Sequence, residues 1–243
     1  MPADLLRRAA SEGVGTAVLL AAVVGSGIMA ERLCGGNVGL ALLANAIATG
    51  GALVALILAF GPVSGAHFNP AVSLADAWLG GLNWRELLAY VGAQVAGALA
   101  GVALAHGMFA ERVFSLSHHA RSGPAQVLSE AVATFGLLTT IWGCVRRRPE
   151  AVPYAVAAYI TGAYWFTAST SFANPAVTLA RSFTDSFSGI QLADVPGFVG
   201  AQFVGAMAAT ALFRWLDPAL RRSAPDVAVP HQARSRAQPE VSK

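Results

Sequence analysis

The sequence predicts an all-α membrane protein with six transmembrane helices and two re-entrant half-helices in an inverted repeat. Three observations carry the prediction: an apolar composition, six stretches of spanning length, and a set of motifs that is written twice. Of 243 residues, 55% are hydrophobic and 12% charged, where soluble domains carry about 25% charged residues. A helix that crosses a bilayer needs roughly 20 predominantly apolar residues. Such stretches run over 9–30, 38–60, 85–106, 125–145, 151–170 and 196–216, which leaves little chain for anything else.

The first stretch follows Arg7 and Arg8 as the apolar part of a signal peptide would. It is long and continues into five more spans, so it reads as a retained helix. Lys and Arg concentrate on the cytoplasmic side of membrane helices. With the N-terminus inside, the cytoplasmic segments hold Arg7, Arg8, Arg85, Arg146, Arg147, Arg148, Arg214, Arg221, Arg222, Arg234, Arg236 and Lys243, against Arg32, Arg112, Arg121 and Arg181 outside. Both termini are therefore expected in the cytoplasm. The net charge of +3 reflects this bias rather than a nucleic-acid surface, and the run from Arg146 to Arg148 reads as a topology anchor. Cys34 and Cys144 fall at opposite ends of their spans, too far apart for a disulfide, and read as free thiols. The Ala-rich composition and short loops fit a bacterial inner membrane. Beyond Arg221, Pro, Ala and charge dominate without an apolar period, which predicts a disordered cytoplasmic tail over 221–243.

The heptapeptide NPAVSLA from Asn69 to Ala75 returns as NPAVTLA from Asn174 to Ala180, differing only at Ser73 against Thr178. VGAQVAGA from Val91 to Ala98 returns as VGAQFVGA from Val199 to Ala206, and Ser11, Glu12 and Thr16 return as Ser129, Glu130 and Thr134. Each half, 1–122 and 123–220, therefore holds three spans with a motif loop between its second and third. Three is odd, so the second half enters the membrane from the opposite side to the first. Proteins built from such inverted repeats carry their functional site near the midplane.

Asn-Pro-Ala suits a meeting point there. Asn is among the best N-caps, because its side-chain oxygen accepts from the free amides of the first turn, and Pro fits the next position, where no amide hydrogen is needed. Asn69, Pro70 and Ala71, and again Asn174, Pro175 and Ala176, therefore start short helices. The apolar segments that follow, Val72 to Leu79 and Val177 to Phe183, are too short to span. Two half-helices facing each other direct about half a positive charge each at the centre. With their oxygens used as caps, the Asn69 and Asn174 amides are expected to donate to an oxygen passing between them. The irregular backbone of 64–68 and 169–173 must line a polar cavity, because unpaired backbone groups are not tolerated against lipid.

With these motifs the sequence closely resembles the aquaporin, or major intrinsic protein, family. Glu12, Glu130, SGAHFNPAV from Ser64 to Val72, the Ala-Gln pairs of the third and sixth spans and both Asn-Pro-Ala boxes all match, and the resemblance covers everything except the tail. It implies six tilted helices and two half-helices around a pore in each subunit of a homotetramer. It also implies passive conduction of water, glycerol and similar small neutral solutes across the lipid bilayer. No nucleophile with a placed histidine, phosphate-binding glycine loop or zinc spacing is visible, so neither an enzyme nor a cofactor or metal is expected.

In that family the narrowest point is formed by four positions, which correspond here to Thr49, Gly162, Ser171 and Val177. Water-selective relatives usually have Phe and His at the first two and almost always Arg at the fourth. Val177 removes a charged group with five donors, and the other three residues are small, so the filter is expected to be wide. The resemblance is closest to bacterial metalloid-associated members, which adds the uncharged hydroxides of trivalent arsenic and antimony to glycerol-like polyols as candidate cargo. Arg181 lies one turn beyond Val177, where it could lend its charge to the outer vestibule; the favoured reading is that the turn carries it away from the filter into loop or headgroup contacts. His67 is expected to line the inner vestibule. Glu12 and Glu130 are buried carboxyls expected to brace the re-entrant loops, and His118 and His119 read as an exposed loop. The alternatives left open are a water-selective aquaporin, a coupled secondary transporter, which inverted repeats also suit, and a poorly conducting structural membrane protein.

Overall fold

The computed structural model describes residues 3–145 and 147–217. Arg146 of the expected anchor, and the tail 221–243 with its expected disorder and its cations, lie outside the described residues. Among the described residues every regular element is helical. The first half holds α1 (Ala3–Leu33), α2 (Val38–Ser64), the short α3 (Pro70–Leu79) and α4 (Trp84–Phe109). The second half repeats the order with α5 (Pro124–Val145), α6 (Val152–Phe166), the short α7 (Pro175–Arg181) and α8 (Val195–Leu216).

Local chemistry sets the boundaries. Asn37 caps α2 by accepting from the Leu40 amide at 3.0 Å, and α2 stops at Gly65, whose φ of 86° reverses the chain toward the first motif. Pro70 and Pro175 occupy the first helical position after their Asn caps, so the half-helices start at the Pro, and α7 ends at Arg181, two residues short of the expected Phe183. The expected fifth span, 151–170, is also shorter than the sequence suggested. α6 has 15 residues preceded by a 3-10 turn at Pro149–Ala151, about 22 Å of helix at 1.5 Å per residue. Among the described residues only α1, α2, α4, α5 and α8 are long and apolar enough to cross a membrane on their own. The chain leaves α6 at Thr167 because it must become the loop that dips to the second motif, and that loop holds Thr170, Ser171 and Ala173 at positive φ.

Within each half the first helix packs along the last, α1 on α4 and α5 on α8. The approach is backbone to backbone: a Cβ added at Gly97 would strike the carbonyl oxygen of Gly13, and one at Gly205 that of Ala131. Small residues allow this closeness between membrane helices, where packing rather than hydrophobic exclusion drives association. The halves meet through α2 against α6, α4 against α7 and α3 against α8. Large apolar side chains such as Leu88, Met108, Val204 and Trp215 are exposed on the outside of the bundle, as lipid contact requires.

Candidate functional site

The two motif loops are tied down from behind by matched networks. The Glu12 carboxylate, fully buried, accepts from the His67 amide at 3.0 Å and the Ser64 hydroxyl at 2.6 Å through Oε1, and from the Phe68 amide at 2.7 Å and Gln94 at 2.8 Å through Oε2. Glu130, equally buried, accepts from the Phe172 amide at 2.8 Å through Oε1, and from the Ala173 amide at 2.8 Å and Gln202 at 2.6 Å through Oε2. The same glutamines reach forward onto the half-helices, Gln94 to Ser73 at 2.9 Å and Gln202 to Thr178 at 2.7 Å. Consecutive amides converge on one carboxylate because the residues three and one before each Asn are left-handed: Ala66 and Phe68 at φ 50° and 48°, Ser171 and Ala173 at 51° and 49°. Non-glycine residues in that region are strained by about 1–3 kcal/mol each and persist only where surrounding bonds over-determine them. Gln94 and Gln202 were absent from the predicted site residues, although the repeated VGAQ motif was their signal.

Held this way, the loops bring the two Asn residues together. Asn69 Oδ1 accepts from the Ala71 amide at 2.9 Å, and Asn174 Oδ1 accepts from the amides of Ala176 at 3.0 Å and Val177 at 3.3 Å. Each amide group also reaches across to the other half: Asn69 Nδ2 donates to the Ala173 carbonyl at 2.8 Å and Asn174 Nδ2 to the Phe68 carbonyl at 2.7 Å. The expectation that both amide hydrogens serve a passing oxygen is therefore refined. One hydrogen of each Asn closes the seam between the halves, which leaves one per Asn for the space between them.

That space is a cavity of about 700 Å³ running from Pro149 and Glu150 past His67, both Asn residues and Val177 to Arg181. The loop residues 65–68 and 171–173 line it together with the apolar side chains of Leu53, Ile57, Leu137, Ile141, Val156 and Ile160 from the helices. His67 is held by Nδ1 against Ser73 Oγ at 3.0 Å and packs on Tyr90. A lining that mixes loop polar groups with apolar side chains lets a solute donate and accept without being bound all round.

Of the four expected filter residues, Thr49, Ser171 and Val177 line the cavity, and all three are buried. Gly162 does not join them. The cavity face of α6 is Val156, Ile160 and Tyr164, spaced one turn apart; Gly162 stands two residues from Ile160, about 200° round the helix at 3.6 residues per turn. It is exposed and a Cβ there would meet nothing. Tyr164 takes the place instead, its hydroxyl 3.2 Å from Thr49 Oγ1. The family correspondence missed it because a correspondence of positions does not say which side of α6 faces inward. Arg181 makes the expected loop contact, Nε to the Ser188 carbonyl, yet it also faces the cavity. It is buried and lines the cavity, with its guanidinium 3.4 Å from the Phe172 ring centroid.

Outside the bundle the loop before α5 is clasped to the one after α7, since Asp185 accepts from the His118 amide at 2.9 Å and faces its Nδ1 at 2.9 Å. These bonds, the amide's first, hold the Asp185 carboxyl below its ordinary value of 3.8.

A family model described as Major intrinsic protein matches residues 2–167. The chain is 58% identical over 229 residues to a Rhizobium meliloti protein named aquaglyceroporin AqpS, covering 93% of this chain and 98% of the relative. It is 28% identical over 229 residues to aquaporin Z of Bradyrhizobium diazoefficiens, covering 87% and 94%. Its structure superposes on the X-ray structure of the aquaglyceroporin from Plasmodium falciparum with a TM-score of 0.72 at 21% identity, covering 89% of this chain and 98% of that one.

Proposed function

The chain belongs to the major intrinsic protein family, and from that premise we propose that it is a passive membrane channel whose wide filter passes water and neutral solutes of polyol size. The observation that carries this reading is the cavity that passes both Asn caps and is bordered at its filter level by Val177, Thr49, Ser171 and the Tyr164 held to Thr49, rather than by a cation. A hydroxylated solute would meet one amide hydrogen from each Asn and the loop carbonyls, while its carbon skeleton lies on the apolar side chains. The name of the Rhizobium meliloti relative, an aquaglyceroporin, supports the same solute class.

The proposal extends in three directions. Uncharged hydroxides of trivalent arsenic and antimony match polyols in carrying several hydroxyls and no charge, so they are included in the cargo. The halves 1–122 and 123–220 act as inverted repeats in a cell inner membrane, with both termini cytoplasmic, which the Lys and Arg bias supports. The exposed apolar faces suit both lipid and neighbouring subunits, in keeping with a homotetramer.

Stopped-flow light scattering on proteoliposomes tests the solute range, comparing water, glycerol and arsenous acid for the native chain and Val177→Arg. Native vesicles should admit all three, and the substitution should reduce glycerol flux by about tenfold or more, the scale on which pocket size discriminates, while sparing water. Glycerol exclusion by the native protein, or unchanged flux in the variant, would overturn the wide-filter assignment.

A further inference from the structure

α7 continues outward from Val177 by one turn to Arg181. Residues four apart share a helix face, so the turn that presents Val177 to the cavity presents Arg181 to it as well, about 6 Å further out at 1.5 Å per residue. Arg181 is 2% exposed and lines the cavity. Two contacts fix its position, and a third secures one of them. Nε donates to the Ser188 carbonyl, Ser188 is itself anchored through Oγ to the Val23 carbonyl at 3.0 Å, and the guanidinium stacks on Phe172. Phe172 is in turn pinned by its amide to Glu130 at 2.8 Å and packs edge-on against Phe198. A second guanidinium, that of Arg121, lies 4.9 Å from the same ring and donates through Nε to the Gly189 carbonyl at 2.8 Å. Among the described residues neither guanidinium forms an ion pair with a carboxylate. Two positive charges are therefore held around one aromatic ring at the mouth with no carboxylate in direct contact, the nearby Glu130, which binds the Phe172 amide, acting on both only through space.

Resting on the channel reading above, we infer that Arg181, braced with Arg121 on the Phe172 ring, is the charge-selecting residue of this channel and rejects cations one turn outward of the wide Val177 level. Width and charge are then set at different heights along the same helix face. Val177 admits solutes by size, and a cation small enough to pass it has first to approach a fixed guanidinium. A guanidinium is planar, always charged and weakly hydrated, so it keeps this role while stacked and largely desolvated. Neutral hydroxyls lose nothing at the same point, because they can accept from its remaining N–H groups.

The test uses the full chain in proteoliposomes and guanidinium as the probe, a permanent cation close to glycerol in size. Native, Arg181→Gln and Arg181→His proteins are compared for glycerol uptake and for guanidinium uptake. Arg181→Gln should pass guanidinium about tenfold faster than the native channel, the effect of a unit charge about 6 Å away in a medium between protein and water. Arg181→His should exclude the probe near pH 5.5 and leak near pH 8.5, because imidazole is charged only below about pH 6.5, whereas the native channel should be flat between the two. This switch within one preparation decides the matter if Arg181→Gln does not assemble. Vesicles of either variant that carry glycerol yet exclude guanidinium as the native ones do, at both pH values, would overturn the assignment. Native vesicles that fail to carry glycerol would instead sink the channel reading on which it rests.

Discussion

Glu130→Gln is the sharpest probe of how the loops are held, because it changes one atom and no volume. The carboxylate has three donors aimed at it: the Phe172 amide on Oε1, and the Ala173 amide and Gln202 on Oε2. A glutamine keeps most of this by placing its oxygen where Oε2 was. Its NH₂ then faces the Phe172 amide, donor against donor, in a site with no exposure. One bond to a charged acceptor is lost, about 1.5–3 kcal/mol, and a buried amide is left unsatisfied at about 1–3 kcal/mol. The lower end of the sum, about 2.5 kcal/mol, corresponds to a fall in Tm of about 5–10 °C for a chain of this size. The strained φ values at Ser171 and Ala173 direct the damage to the loop, so solute flux should fall along with Tm. Thermal unfolding in detergent followed by stopped-flow flux measures both. A Tm within about 2 °C of native, with unchanged flux, would refute the view that this carboxylate holds the loop in place.

Gly162→Val should leave glycerol flux at the native level because the added side chain faces away from the cavity; lost flux in an assembled protein would return Gly162 to the constriction. Gly97→Leu should destabilise the bundle by about 1–3 kcal/mol or more through overpacking, since its Cβ would meet the Gly13 backbone, and a Tm equal to native would contradict the close α1–α4 approach. The clasp between Asp185 and His118 should respond to acid with a definite sign. A carboxyl whose folded pKa lies below 3.8 contributes fully above that value and loses its contribution as pH falls through the lowered one. Hydrogen exchange at the His118 amide should therefore gain protection from Asp185 at neutral pH and lose it in strong acid or in Asp185→Asn; protection that survives both would show that other contacts hold the loop.

The fold was legible because inverted repeats carry redundant information. Two Asn-Pro-Ala boxes, two VGAQ motifs and two Ser-Glu-Thr starts each specify the same loop, carboxylate and glutamine, and the structure brings those residues together twice. What the sequence could not supply was the direction of side chains on helices without an amphipathic period. α6 is apolar all round, so nothing in its composition distinguishes Gly162 on the outside from Tyr164 facing Thr49. Arg181 was half legible for a related reason. The turn beyond Val177 was expected to carry it into loop or headgroup contacts, and only Phe172 and Ser188, supplied by two different loops, show how a loop contact leaves it facing the cavity.

Moving the charge back one turn argues the same point from the other side. The midplane alone offers limited repulsion: a free helix end amounts to about half an elementary charge, and here the caps already occupy the amides of Ala71 on α3 and of Ala176 and Val177 on α7, while Pro70 and Pro175 have none to offer. Arg181 contributes a whole charge at the mouth. In the double variant Val177→Arg with Arg181→Val, charge and bulk would share one level, so glycerol should be restricted while guanidinium stays excluded. In Arg181→Val alone, glycerol should continue to pass and guanidinium should join it. Proteoliposome uptake of both solutes separates these outcomes. If the single and double variants exclude guanidinium equally, the half-helix ends suffice after all, and Arg181 is held at the mouth for packing against Phe172 rather than for its charge.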